Sequence, residues 1–405
     1  MTSASSMPDP LIRPTPGLGN ALILPGGGAR AAYQVGVLKA IAELCGPCPN
    51  PFPILCGTSA GAINTMALAS RADRFPAACA WLESLWRKLQ PDSIYRSDVR
   101  AVVGNTARLL LSLVNAGVAV GRPVALLDNT PLRRLLGEEL DLDRIGEQVT
   151  NGYLQAACVT AVDYTAGDSV SFFQGHRGLQ SWRRWRRQGV ATQLTLDHLL
   201  ASTAIPTIFP PQRVGRHYYG DGALRQLAPL SPALHLGAER ILVIPANGHR
   251  RTYRHSQRPV HSPALGQVVG HLLNSAFVDA LASDIERARR TNALLAVIPE
   301  GLRHTLHRPL RPIDMLVISP SRDIDTIAEQ HVHELPRSLR AFLRLTGSNR
   351  YAGGTNTASY LLFTPEYIGE LIELGYEDAM AQRSSLLSFL APLQPRAEGV
   401  SYGTG

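Results

Sequence analysis

Short apolar runs alternate along the chain with longer stretches of helical spacing. Residues 21–25, 53–56, 154–160, 169–173, 241–245 and 315–319 are runs of strand length, mostly aliphatic. Between them, 31–44, 60–69, 196–202 and 266–295 place apolar residues three and four positions apart, as does most of 71–150. A strand buried on both faces is continuously apolar, and strands separated by helices pair in parallel. The pattern therefore predicts an α/β fold whose mostly parallel sheet is covered by helices on both faces. Residues 99–120 are unusually apolar for a surface element; a buried helix and a lid touching lipid both fit. No internal repeat or linker breaks the order, which implies one compact domain. The Pro- and Ser-rich start, 1–19, reads as a loose tail.

Two of the strands end in glycine turns. The 53–56 run leads into Gly57-Thr58-Ser59-Ala60-Gly61, and helical spacing resumes at Ala60. Ser59 then sits at the apex of a strand-to-helix turn inside G-x-S-x-G, the nucleophile-elbow arrangement. Side chains at 57 and 61 would clash at so sharp a bend, so glycine at both supports this reading over a plain Gly-flanked turn. The helix start directs unpaired N–H groups at Ser59, where they favour developing negative charge.

The first strand likewise runs into Gly26-Gly27-Gly28-Ala29-Arg30. Glycines let backbone N–H groups approach a ligand oxygen closely. Gly26-x-Gly28-x-x-Ala31 also satisfies the loose dinucleotide fingerprint, but that site needs an acid closing the second strand, about 20 residues on. Here the second strand ends in the Ser59 turn, so the loop suits an oxyanion better than a pyrophosphate. A third turn, Gly220-Asp221-Gly222-Ala223, follows the aromatic His217-Tyr218-Tyr219 and holds its carboxylate on a tight bend.

Composition narrows the class. With 45% hydrophobic and 18% charged residues over 405 positions, the chain is a globular protein and not a disordered one. No apolar run is long enough to span a bilayer and no secretory signal opens the chain, so a cytoplasmic or peripheral-membrane location is expected. The formal charge of +8 favours anionic partners. Arginines interleave with tryptophans in Trp182-Arg183-Arg184-Trp185-Arg186-Arg187, a mixture suited to a phosphate-rich, wet apolar boundary such as an anionic membrane surface. A solvated loop is the plainer reading. Nucleic acid could use the same elements, but it is not expected as a partner. Cys45-Gly46-Pro47-Cys48 has redox spacing but follows a helix where a reactive pair would precede one. No Cys/His pairs have metal-ligand spacing, and neither a metal nor a cofactor is expected.

Taken in order, Gly26-Gly27-Gly28-Ala29-Arg30, Gly57-Thr58-Ser59-Ala60-Gly61 and Asp221-Gly222-Ala223 resemble the three signature blocks of the patatin-like phospholipase family. Ala201-Ser202-Thr203-Ala204-Ile205-Pro206 is similar to the segment which that family places before its aspartate turn. The resemblance covers residues 20–250 as the catalytic core. Residues 251–395 look like the mostly helical extension of bacterial members, packed on the same domain, and 396–405 like a second tail. Ala223 departs from the family's usual Gly.

The resemblance implies a three-layer α/β/α fold and a Ser59–Asp221 dyad that cleaves phospholipid or other acyl-ester lipids through an acyl-serine. It makes Gly27 and Gly28 the oxyanion donors, with Gly26, Gly57, Gly61 and Gly222 shaping the turns. Arg30 either adds positive potential or orients the glycine loop. An ordinary carboxylate is a weak base near neutrality, so Asp221 requires burial to raise its pKa, or the proton must move late. A Ser-His-Asp triad would need a late histidine, and His304, His307, His331 and His333 lie in polar or helical stretches without a glycine-shaped turn. An acyltransferase using the same dyad and a non-catalytic lipid-surface module using Trp182 to Arg187 are the alternatives from other classes.

Overall fold

Strand β1 (Asn20–Leu24) lies inside the sheet, and every one of its residues is buried. Alternate side chains enter two separate cores. Leu22 and Leu24 join one cluster with Leu55 of β2 (Ile54–Thr58), whereas Ala21 and Ile23 join another with Ile54 and Cys56. That two-faced burial is why the run is continuously apolar. A computed structural model describes residues 19–98, 104–106, 125–247, 271–272, 274–299, 302, 312–345 and 355–391. The expectations for the 1–18 tail, most of the apolar 99–120 segment, His304, His307 and the 396–405 tail lie outside the described residues.

Among the described residues ten strands form one sheet. After β2 come β3 (Ala156–Asp163), β4 (Ser169–Gly175), β5 (Trp182–Arg184), β6 (Arg187–Ala191), β7 (Gln212–Val214), β8 (His217–Asp221), β9 (Arg240–Val243) and β10 (Asp314–Val317). The order is β10-β9-β1-β2-β3-β4-β6-β5, with β8 against β3 and β7 against β8. From β10 to β3 all pairs are parallel, each reached through helices. Where β4 follows β3 after a tight turn, the pairing is antiparallel, as a direct hairpin requires.

One face carries α1 (Ala32–Cys45), α2 (Ala60–Ala69), α3 (Phe75–Arg87), α4 (Thr130–Glu139), α5 (Arg144–Thr150) and α6 (Leu196–Thr203). The other is covered by the 231–238 segment and by α7 (Ala280–Val297). The sequence pattern places a helix at 266–295. The helix found runs on to Val297, is π-helical at Ser275–Asp279, and 266–270 lie outside the described residues. The mixed α/β architecture, with its mostly parallel sheet between helices, is the one expected. No described helix is long and apolar enough to cross a membrane.

The C-terminal helices are α8 (Ile324–His331), α9 (Arg337–Leu345), α10 (Thr355–Leu361), α11 (Pro365–Ala381) and α12 (Arg383–Leu390). They enter the same core as α1 to α3. Helices α1 and α11 meet backbone to backbone: a Cβ on Gly36 would lie 1.9 Å from the Ile372 carbonyl, and one on Gly375 would lie 2.1 Å from that of Tyr33. The Tyr33 hydroxyl donates to Asp378 at 3.0 Å across the same contact.

Candidate active site

Strand β3 brings two distant turns together. Its residues 156–162 pair with β4, so β2 and β8 must share its other edge. There Thr160 is opposite Thr58, the last residue of β2, and Ala161 is opposite Asp221, the last residue of β8. The two strands run toward each other and end on adjacent β3 residues. Ser59, one step past Thr58, therefore faces Asp221.

Ser59 is the N-cap of α2 and has φ 54° and ψ −130°, a conformation that an L-residue adopts only under constraint. The crowding around the turn explains its glycines. A Cβ on Gly61 would lie 2.0 Å from the Leu24 carbonyl oxygen, and one on Gly57 would lie 2.3 Å from Thr65 Oγ1. The Ser59 N–H donates to Ser202 Oγ at 2.9 Å, and that hydroxyl donates to the Thr160 carbonyl at 2.6 Å. Ser202 thus pins the strained residue to β3. It lies in a block that the sequence singles out, yet serine there carries no signal of this role.

Asp221 is fully buried. Its N–H donates to the Ala204 carbonyl at 2.9 Å, and its Oδ1 accepts from the Ala223 N–H at 2.9 Å. Burial pushes its pKa up from 3.8 to about 7, and hydrogen bonding from Ser59 and from the Ala223 N–H offsets part of the rise. Oδ2 nevertheless has no well-aligned partner. The Ser59 approach is therefore close but not a fully formed bond, which is common before substrate binds. Gly222 permits the turn, since a Cβ there would lie 2.2 Å from the Thr160 carbonyl. The substitution at Ala223 leaves this hydrogen bond intact, because the backbone supplies the donor.

The glycine loop closes over the serine. A Cβ on Gly26 would lie 2.9 Å from Ser59 Cβ and 2.4 Å from the Phe277 ring. Gly28 has φ +56°, which glycine alone adopts at no cost, and faces the Tyr360 carbonyl. Gly27 packs on Ala246. Both Phe277 and Tyr360 come from far downstream in the chain, and their rings pack at 5.2 Å, tilted by 31°.

Arg30 points away from the serine turn into this C-terminal shell. It is buried, donates to Ser359 at 2.9 Å, to Asn247 and to Asp325, and lies 4.1 Å from the centre of the Tyr360 ring. Its charge is already engaged, so of its two expected roles the geometry favours orienting the loop. Replacing Arg30 by Met is expected to lower stability by about 2–3 kcal/mol in urea unfolding and to slow fluorophosphonate labelling of Ser59. That is less than a wholly buried pair would lose, because the Asp325 side chain is 25% exposed.

An apolar cleft leads to Ser59. Gly28, Ser59 and Thr203 line it together with Ile63, Trp86, Leu132 and Leu136. Its empty space, mouth included, is about 570 Å³. Its almost wholly apolar lining suits an apolar group and disfavours a charged one.

The other expected residues lie elsewhere. Trp182 to Arg187 form the β5–β6 hairpin and not a loose loop. Trp182 departs from the expected surface role: its indole stacks between Phe173 at 5.0 Å and His235 at 4.8 Å. Trp185 is 81% exposed. His331 is held between Glu334 at 2.7 Å and Glu370 at 3.0 Å, and His333 bonds the Gln330 carbonyl, so neither faces Ser59. Burial, then the neighbouring Cys48 thiol, pushes Cys45 up to about 12, the reverse of what a reactive redox pair needs. Among the described residues no His, Cys, Asp and Glu side chains group as a metal site.

Comparison with known proteins gives the chain's family. The chain is 28% identical over 219 residues to a cGAMP-activated phospholipase of Pseudomonas aeruginosa (strain BWHPSA011 / Pa011). The match covers 53% of this chain and 56% of that protein, so it spans only about half of the relative's length. The family model of the patatin-like phospholipases matches residues 22–234, a span that contains all three turns. The chain belongs to the patatin-like phospholipase family.

Proposed function

We propose that the protein is a serine lipid acyl hydrolase of phospholipase A or lysophospholipase type, with Ser59 as nucleophile and Asp221 as its base. The observation that carries this reading is the strained Ser59 in the lining of an apolar cleft, beside a fully buried carboxylate whose pKa is raised to about 7. A base half-ionised near neutrality can take the serine proton as the oxygen attacks the ester carbonyl. The cleft takes the acyl chain and brings the carbonyl to Ser59. Negative charge then develops on the carbonyl oxygen. The N–H groups of Gly27 and Gly28 and the start of α2 stabilise it, and each such donor is worth about 3–4 kcal/mol of barrier. The alcohol leaves with the proton held by Asp221, and water cleaves the acyl-serine to release a fatty acid. The substrate meets the enzyme at an anionic membrane surface.

The test is incubation with a fluorophosphonate probe followed by peptide mapping, together with product analysis on phospholipid vesicles. Labelling at Ser59 and release of free fatty acid are expected. Labelling at another serine, or none in folded protein, would overturn the assignment. Transfer of the acyl group to an added alcohol or lysolipid in preference to water would replace the hydrolase by an acyltransferase acting through the same pair.

A further inference from the structure

A second, wider cleft adjoins the Asp221 turn. Its walls are the β5–β6 hairpin, the 223–228 segment leaving the turn, Leu272, Ser275 and Ala276, and the start of α7. Five arginines line it: Arg184, Arg186, Arg187, Arg225 and Arg287. Arg186 lies 3.9 Å from Asp168 and Arg287 lies 3.6 Å from Asp284. Arg184, Arg187 and Arg225 have no carboxylate within ion-pair distance among the described residues, and Asp279 is the acid in the wall itself. Set against Asp279 in the wall and Asp168 and Asp284 beside it, the five guanidinium groups leave the cleft net positive.

Its rim is also apolar. Trp185, Leu272, Leu227 and Leu224 all border it and are 81%, 64%, 60% and 40% exposed. A single exposed leucine means nothing, but four large apolar side chains gathered among unpaired arginines form an amphipathic patch. A soluble anion would use the guanidinium groups and leave the hydrophobics wet. A membrane surface uses both: guanidinium forks seat on headgroup phosphates while indole and leucine enter the apolar boundary beneath.

We propose that this cleft is the docking face for an anionic lipid surface. The inference deepens the lipid-hydrolase reading by assigning the surface at which substrate is met. Docking is bipartite: the hairpin supplies Arg184, Trp185 and Arg187, and the 224–227 segment supplies Arg225 and Leu227. That second segment is continuous with Asp221 and Gly222, so a docked protein holds its aspartate turn next to the headgroups. Gln226 of the same segment accepts from the Thr58 hydroxyl at 2.8 Å, one residue before Ser59. Trp182 also lines the cleft, but Phe173 and His235 cover both faces of its indole, so it braces the hairpin, and strand alternation turns Arg183 away from the cleft.

The test is co-sedimentation of the Ser59→Ala protein with phosphatidylcholine vesicles, with and without phosphatidylglycerol. Binding is expected only when phosphatidylglycerol is present, and it should weaken as salt rises. Changing Arg184, Arg187 and Arg225 together to Gln should weaken binding on the order of a hundredfold. Leu227→Ser should weaken it less. In the wild-type background the triple variant should keep its fluorophosphonate labelling and its rate on a soluble short-chain ester, which shows that the fold is intact. Equal binding to both vesicles, or unchanged binding by the triple variant, overturns the proposal. So does release by soluble glycerol phosphate, which would mark a small-phosphate site, or tight duplex DNA binding lost in the triple variant. Using the Ser59→Ala protein separates docking from chemistry: vesicle binding by a wild-type protein that hydrolyses nothing would sink the enzyme reading and leave this one standing.

Discussion

Ser59→Ala is expected to lower ester hydrolysis on the order of 10⁴- to 10⁶-fold and to abolish fluorophosphonate labelling, with little change in folding. The size follows from the proposed covalent route, in which no acyl-enzyme forms without the hydroxyl and the remaining oxyanion donors act only on attack by water. A companion substitution separates function from strain. The backbone at Ser59, φ 54° and ψ −130°, belongs to glycine's range. Holding a serine there costs about 1–3 kcal/mol. Ser59→Gly removes that strain but loosens the unfolded chain, which costs about 0.4–1 kcal/mol. The glycine variant should therefore be inactive and yet about 1 kcal/mol more stable in urea unfolding, whereas the alanine variant keeps the strain and gains nothing. Activity of Ser59→Ala within tenfold of wild type would end the case for this nucleophile. Equal stability of the two variants would show that the elbow is not strained.

The residues that draw the eye in the sequence are those whose local chemistry is self-announcing. Glycine on both sides of Ser59 and of Asp221 signals crowding, and the crowding is there: the missing Cβ positions fall on the Leu24 and Thr160 carbonyls. The central strands are legible because burial on both faces leaves few polar positions. The shell around the glycine loop is not legible. Phe277 and Tyr360 come from more than 200 residues downstream, and an aromatic residue in a helix looks the same whether it fills a core or braces a loop. Arg30 illustrates the same limit. Its place after three glycines suggests charge near the site, but Asn247, Asp325 and Ser359 turn it the other way, and none of these has a sequence signature. The cleft walls Leu132 and Leu136 are written as ordinary positions of an amphipathic helix. The Trp-Arg run announces an interface by composition, while the pairing of β5 with β6 decides which of its members are available. Composition names candidates, and strand register selects among them.

Asp221→Asn is expected to cost on the order of 10³- to 10⁴-fold in kcat/KM and, in the same protein, to raise stability at alkaline pH. The two effects have one cause. Burial raises the carboxyl pKa from 3.8 to about 7, so the folded state binds a proton that the unfolded chain has already released. When the native state holds more protons than the unfolded one, stability falls as pH rises. The loss runs from about pH 4, where the unfolded carboxyl ionises, to about pH 7, where the folded one does, and is constant above. Between pH 5 and pH 8 wild type should therefore lose on the order of 2–3 kcal/mol that the Asn variant does not. Asn keeps an oxygen to accept from the Ala223 N–H, so the turn survives. The same titration sets the rate: only the ionised carboxylate can take the serine proton, and wild-type kcat/KM should rise with pH to a plateau, with its midpoint near 7. Urea unfolding of both proteins across this range, beside the wild-type pH–rate profile, reads both halves. A rate that is flat from pH 5 to 9 would remove Asp221 as the base. A parallel stability profile in the two proteins would mean that its carboxyl titrates as an ordinary solvated one, and the buried dyad would have to be abandoned.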